Sequence, residues 1–302
     1  MVSKLAVVFV AILCAADIAA AQGRGNAFGK GRKGGTVSSG GSTADGTAAS
    51  GGTIAGTAVR EFGTWLDDAS LADPGSGWVG VSFGTYSSTG GRQTDFPVFD
   101  AAIGLTHRIQ VGMTVPSYSR FSAADGTTFG SRGDIYVNSK ISILNRLNAS
   151  RPSALAVTPL VEILSQPDPR DGGRIFWGLP VSAEMRLDSF RVYGSTGVFS
   201  RGAWFAGGAV ETPVTDRVIV TGALNFARSI IDAPVADAEG LSSSRVDLTG
   251  SAVYVMTPKV AVFGSLGRTL SRIDANSSTM VLNGGLAISF ASSNPSPPSR
   301  RP

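Results

Sequence analysis

The amino-acid sequence predicts an all-β protein: a transmembrane, antiparallel up-and-down β-barrel of about 12 strands. Three observations predict it. From Trp78 onward, stretch after stretch alternates apolar residues with small or polar ones, the period of a strand with two unlike faces. Most of these stretches run to about ten residues or more, whereas strands of soluble proteins average about five or six and a tilted membrane strand needs roughly nine to eleven. Charged residues make up only 16% of the 302, and 39 are Gly. A typical soluble domain is about a quarter charged, so the apolar faces suit lipid better than water.

Residues 1–21 read as a secretory signal peptide. Lys4 gives a positive start, Leu5 to Ala16 an apolar core, and Ala19, Ala20 and Ala21 a small-residue cleavage site before Gln22. The one cysteine, Cys14, lies in this leader, which leaves the mature chain without disulfides or cysteine-ligated metal. Residues 22–57, rich in Gly, Ser, Thr and Ala, read as a disordered linker. Within them GKGRKGG lacks the spacing and flanking elements of a phosphate-binding loop. Residues 58–77 form a short periplasmic or plug segment. Val59, Phe62, Trp65 and Leu66 lie close to helical spacing, so 58–72 is expected to be an amphipathic helix, ended by Asp73-Pro74-Gly75.

The barrel is expected over 78–290, followed by a disordered tail, 291–302. Its strands fall near 78–87, 96–105, 108–118, 133–145, 153–165, 174–187, 190–200, 202–212, 216–229, 244–256, 259–270 and 278–290. Short turns alternate with longer Gly-, Asp- and Ser-rich loops at 87–95, 119–132, 166–173, 230–243 and 271–277. Outer-membrane barrels have this pattern, with short turns on the periplasmic side. An even strand count puts both termini there.

Alternation assigns the faces. Val79, Val81, Phe83, Ile109, Met113, Val137, Leu179, Val181, Val246 and Leu248 are expected to meet lipid. The opposite phase carries Asp100, Asp134, Lys140, Glu162, Glu184, Arg186 and Thr249, the candidate lumen-facing residues. Strands 190–200 and 202–212 are ambiguous in phase. Charges on an inner face either fill and rigidify the lumen or line a water path whose selectivity they set. Trp78, Phe121, Trp177, Phe199, Trp204 and Phe290 fall near strand ends, where aromatic girdles sit.

Other chemistry finds little footing. The net charge is +4, concentrated in residues 24–33 and at Arg300 and Arg301, without a nucleic-acid-binding motif, so no nucleic-acid partner is expected. His107 is the one histidine, set in a turn beside Arg108, and a serine–histidine site needs a histidine beside its nucleophile. No catalytic, metal-binding or cofactor-binding residues are assigned, and no enzyme is expected.

The stretch GLTHRIQVGMTVP, residues 104–116, resembles a hairpin of a family of bacterial outer-membrane barrels assigned to transport or to the phenol-degradation meta-pathway. Gly104, Leu105, Thr106 and Arg108 carry the likeness, with His107 where an acidic residue or Asn is usual. GDIYVNSKISIL, residues 133–144, resembles the next strand. The resemblance implies passive movement of small solutes. The last strand, TMVLNGGLAISF, is similar to barrel-closing strands whose terminal aromatic is read by the barrel-assembly machinery; Phe290 is that residue, with a tail beyond it. The expected partners are thus outer-membrane lipid, that machinery and a small solute. A filled-lumen structural or surface barrel and a secreted soluble β-protein that binds a ligand are the competing readings. N-terminal sequencing of protein from an outer-membrane fraction should find the mature chain beginning at Gln22.

Overall fold

A computed structural model describes residues 43–45, 64–124, 126–145, 153–165, 173–187, 189–231, 240–274 and 277–290. The expected leader, the linker apart from 43–45, and the C-terminal tail lie outside them. Fifteen segments form one closed antiparallel barrel of 12 strands, and a two-stranded pair is not hydrogen-bonded into its sheet. That pair is β1 (Thr43–Asp45) and β2 (Thr64–Leu66), with Thr43 opposite Leu66. The barrel begins with β3 (Gly77–Ser88), β4 (Gly91–Thr106), β5 (Ile109–Pro116), β6 (Ser119–Ala123), β7 (Thr128–Ser131) and β8 (Ile135–Asn145). It continues with β9 (Ser153–Val157), β10 (Leu160–Ile163), β11 (Ile175–Arg186), β12 (Arg191–Phe199) and β13 (Ala203–Pro213). It ends with β14 (Val218–Ser229), β15 (Ser244–Thr257), β16 (Val260–Thr269) and β17 (Met280–Phe290).

Three of the twelve strands are interrupted. β5 and β6 are one strand broken at Ser117-Tyr118, β7 and β8 one strand broken at 132–134, and β9 and β10 one strand broken at Thr158-Pro159. Pro159 cannot donate to the ladder. Its carbonyl still accepts from Ser139 N (3.0 Å), and Thr158 N donates to Pro180 O (2.8 Å), so the wall stays sealed there. β17 pairs with β3, Phe290 opposite Gly77 and Met280 opposite Ser87, which closes the cylinder and leaves no edge at the seam.

Two stretches read as long loops are strand. β3 and β4 meet at a tight turn over Thr89-Gly90, where Gly91 takes a φ of 149°, so 91–95 extends β4. Within 119–132, β6 and β7 form a second hairpin, with Ser119 opposite Ser131. Both ladders run beyond the apolar belt, where most residues are polar or glycine, the Phe121–Phe129 pair apart, and the long alternation that marks a membrane strand is lost. The loops expected at 166–172 and 232–239 lie outside the described residues.

The outward side chains form an apolar belt. Val79, Phe83, Met113, Val137, Leu179, Val181, Leu224 and Leu266 stand exposed around the cylinder. Trp177, Trp204 and Phe290 are exposed near strand ends. Trp78 and Phe199 correct the expected girdle: both are buried and face the interior. Among the described residues, every Asp and Glu on a barrel strand is buried. No helix is long and apolar enough to cross a membrane; a barrel crosses with strands. A monomeric soluble protein rarely exposes so large an apolar surface, so the belt is read as the lipid face.

Residues 64–72 of the segment expected as a helix are extended instead, and 58–63 lie outside the described residues. After β2, residues 67–76 form no helix and run through the barrel interior. A helix over 58–72 would present one buried and one open face. Here Trp65 through Ser70 are buried in unbroken succession, each 3% exposed or less, because wall surrounds them on all sides. An extended chain is also slimmer than a helix about 10–12 Å across, and its carbonyls are free to meet the wall.

The belt yields a test. Leu224, half-exposed at mid-strand on β14, faces outward. Leu224→Arg should cost about 2–4 kcal/mol of folding free energy in lipid vesicles, the penalty for arginine on the lipid face near the midplane. Thr221→Ser, on the inner face of the same strand, should fold as the wild type does. Denaturant titration in vesicles reads both.

Candidate functional site

The interior segment is held by three sets of contacts arranged along the barrel axis. At the end where β3 starts and β17 finishes, Gly75 N donates to Gly104 O (2.8 Å) and Gly104 N donates to Ser76 O (2.9 Å). A Cβ on Gly104 would sit 2.2 Å from the Ala72 carbonyl oxygen and 2.5 Å from that of Asp73, so only glycine admits the segment there. Ala72 N then donates to Gln110 Oε1 (2.7 Å). Outside the wall, in the turn between β4 and β5, His107 is exposed. The Asp73 carboxyl is raised from its usual value by burial, and the charge of His107 opposes that rise.

The second set is ionic. Lys140, on the inner face of β8 and 1% exposed, places its Nζ 2.8 Å from Asp67 Oδ2 and 3.3 Å from Asp68 Oδ1. The same ammonium donates to the backbone oxygens of Asp68 (3.1 Å) and Ser70 (3.2 Å). From β12, Arg191 Nη1 donates to Asp68 Oδ2 (2.7 Å) while its Nη2 donates to Glu211 Oε2 (2.9 Å). The Arg191 guanidinium also lies over the Tyr193 ring, 4.8 Å from its centroid. On β11, Glu184 accepts from Arg186 Nε (2.9 Å) and from the Ser70 hydroxyl. Burying an ion is costly unless it is paired, and here each has an opposite charge within ion-pair distance, although Asp67 Oδ2 and Arg191 Nε lack a hydrogen-bond partner among the described residues.

The third set is apolar. Trp65 packs with Tyr136, Leu160, Phe199, Phe205, Ala203 and Ala227 towards the opposite end of the barrel. Leu66 packs with Tyr193, Ala209 and Ala223, and Ala69 with Ala154 and Ala156. Ser195 Oγ donates to the Trp65 carbonyl.

The residues singled out from the sequence separate in space. Lys140, Glu184 and Arg186 meet at the segment. Glu162 accepts from Tyr136 Oη (2.8 Å) and pairs with Arg201 (3.1 Å), forming a second cluster. Asp134 accepts from Ser165 N (2.8 Å), and Asp100 accepts from Thr114 Oγ1 (2.9 Å). Thr249 is buried on β15 between Ala223 and Gly267, and among the described residues its Oγ1 has no hydrogen-bond partner. Phe290 ends the closing strand, exposed on the outside.

Sequence reasoning missed Asp67, Asp68, Ser70, Arg191 and Glu211. Arg191 and Glu211 fall on the two strands of ambiguous phase. The inner face of β12 carries Tyr193 and Phe199, so it does not look polar. The pair Asp67-Asp68 directly after Trp65-Leu66 is the signal that was available: two adjacent acids have no reason to follow an apolar anchor unless a cation waits nearby.

Similarity to known proteins extends to architecture. No model of a known protein family matches the chain. No curated protein sequence matches it. Among solved structures, the NanC porin superposes with a TM-score of 0.51 at 11% identity, covering 70% of this chain and 98% of that one. The COG4313 outer membrane channel from Pseudomonas putida F1 gives 0.50 at 16% identity, covering 73% and 97%. Both likenesses establish the fold, an outer-membrane type of barrel.

The ionic set predicts how the segment is held. Removing one partner of a buried ion pair costs about 3–5 kcal/mol, so Lys140→Met should loosen the segment. Ala69, 1% exposed, reports on it. A cysteine placed there (Ala69→Cys) should react negligibly with a membrane-impermeant thiol reagent, and at least tenfold faster when combined with Lys140→Met, by roughly the first 1.4 kcal/mol of that loss.

Proposed function

We propose that this protein is an outer-membrane channel for passive movement of small solutes, not an enzyme, and that residues 64–76 hold it closed in this conformation. The observation that carries the reading is the nature of the occupant. It is joined to the wall by hydrogen bonds, ion pairs and packed side chains, and covalently only through the chain leading into β3. An occupant so held is displaceable. The wall away from it supports the same reading: on β3 and β14 to β17 the inner face presents small polar groups such as Ser82, Thr221, Thr249, Ser251, Ser265 and Asn283. Such a face suits a water path once the lumen is cleared.

Two solved structures of like fold are a porin and an outer membrane channel, which agrees with this reading. In it the end bearing Gly77 and Phe290 faces the periplasm. The belt meets outer-membrane lipid, and the closing strand with Phe290 is what the barrel-assembly machinery engages. The lumen-facing charges Asp100, Asp134, Glu162, Glu184, Arg186 and Lys140 then set the field that a passing solute meets. The filled-lumen structural barrel is the second reading, and the Trp65 cluster favours it, since a tryptophan 0% exposed is a strong anchor.

Planar-bilayer recording separates the two. The wild type should show brief, infrequent openings. Trp65→Ala, which removes a buried aromatic at a cost of about 3–5 kcal/mol, should raise the open fraction at least tenfold. A structural barrel predicts no openings in either protein.

A further inference from the structure

We propose that Lys140 and Arg191 form a lumenal binding site for small carboxylate anions, and that Asp67 and Asp68 occupy it as an internal stand-in. The inference rests on the channel reading above and names the solute class of that channel.

The geometry at Asp68 is that of a bound carboxylate. One oxygen lies 3.3 Å from Lys140 Nζ and the other 2.7 Å from Arg191 Nη1, so a single carboxylate bridges cations from β8 and β12. Asp67 adds a second carboxylate, 2.8 Å from Lys140. The partners of Lys140 differ from those of the other cations. Arg191 has Glu211 and Glu184 on the wall beside it, and Arg186 has Glu184. Every anionic group recorded within ion-pair distance of Lys140 belongs to the interior segment. With the segment docked, the cluster holds three cations (Lys140, Arg186, Arg191) and four anions (Asp67, Asp68, Glu184, Glu211). With it withdrawn, three cations face two anions. Withdrawal therefore converts a net negative cluster into a net positive one, and it strips Lys140 of its counter-charge altogether. With the segment withdrawn, Lys140 faces the lumen with no wall carboxylate recorded within ion-pair distance among the described residues, so the cleared lumen presents a cationic site that an anion fills. Carboxylate is the class the chain itself uses there, bidentate across two strands.

The test uses full-length protein with Asp67→Asn and Asp68→Asn together, which keep the side-chain shape and remove the charge. In a planar bilayer under a potassium chloride gradient this variant should prefer chloride over potassium by about fivefold, the sign of selectivity following the unpaired cation. Malonate should block its current. Adding Lys140→Met should abolish both the preference and the block. Conductance without chloride preference, or a preference unchanged by Lys140→Met, overturns the anion site and leaves the channel standing. No conductance in the wild type or in any variant overturns the channel reading, and this inference with it. A second measurement does not depend on the double variant: in the Ala69→Cys protein, malonate should speed thiol labelling as it displaces the segment, and chloride at equal ionic strength should not. Equal labelling with both salts overturns the site.

Discussion

The structure depends on how a lysine ammonium is kept inside a barrel wall. With the segment docked, Lys140 on the inner face of β8 is shut off from bulk water, and an uncompensated ammonium in a low-dielectric setting is costly. Four oxygens answer it: two from carboxylates and two from backbone carbonyls, all from residues 67–70. A helix would commit the carbonyls of Asp68 and Ser70 to its own ladder. The demand of one wall residue therefore explains why this stretch is extended. The same demand accounts for Gly104, since a chain reaching Lys140 from β3 passes so close to the wall that a side chain there would collide with it.

The lumen is consequently two-sided. From β8 to β13 the wall meets the interior segment with charged, aromatic and alanine side chains that match it in detail, as Trp65, Leu66 and Ala69 each find their own cluster. From β15 through β17 to β3 the inner face mixes small polar residues with two apolar clusters, Val253, Val255, Ala261 and Phe263 with Ile219 of β14, and Val281 with Tyr86, and Thr249 Oγ1 and Ser251 Oγ find no hydrogen-bond partner among the described residues. Buried polar groups left without protein partners are where ordered water belongs. One half of the wall is matched to the segment, while the other leaves polar groups without protein partners beside its own apolar clusters.

The barrel was legible because membrane strands impose period two over a long distance. In β15, Val246, Leu248, Gly250, Ala252 and Tyr254 against Asp247, Thr249 and Ser251 leave one register that keeps lipid and lumen apart. Where that constraint lapses the sequence falls silent. Above the belt, β6 and β7 pair as well as any strand, yet they are short and carry only the Phe121–Phe129 pair and Ala123 among polar and glycine residues, so they read as loop. On β12, aromatics inside and Gly194 and Thr196 outside blur the phase, which hid Arg191. The interior segment was the least legible. Its apparent helical period rested on four residues, and inside a tube every face is buried, so one-sided periodicity has no meaning. The role of Asp67 and Asp68 is set by a lysine 72 residues away from Asp68, a separation that no local pattern encodes.

Tethering decides how such a plug behaves. The chain from Asp73 to Ser76 is pinned at Gly104, so a withdrawn segment stays within a few residues of its seat. A short flexible tether gives an effective concentration in the millimolar range. A free solute that enters by displacement must therefore compete with a covalently attached rival at about that concentration, not with empty water. Weak single-charge ligands lose this competition, while ligands with two suitably spaced charges match what the segment offers. The tether thereby acts as a threshold on solute concentration and valence. The apolar anchors at Trp65 and Leu66 raise that threshold, and in the proposed site Lys140, whose ion pairs among the described residues are all with the segment, lowers it for whatever anion can replace both carboxylates at once.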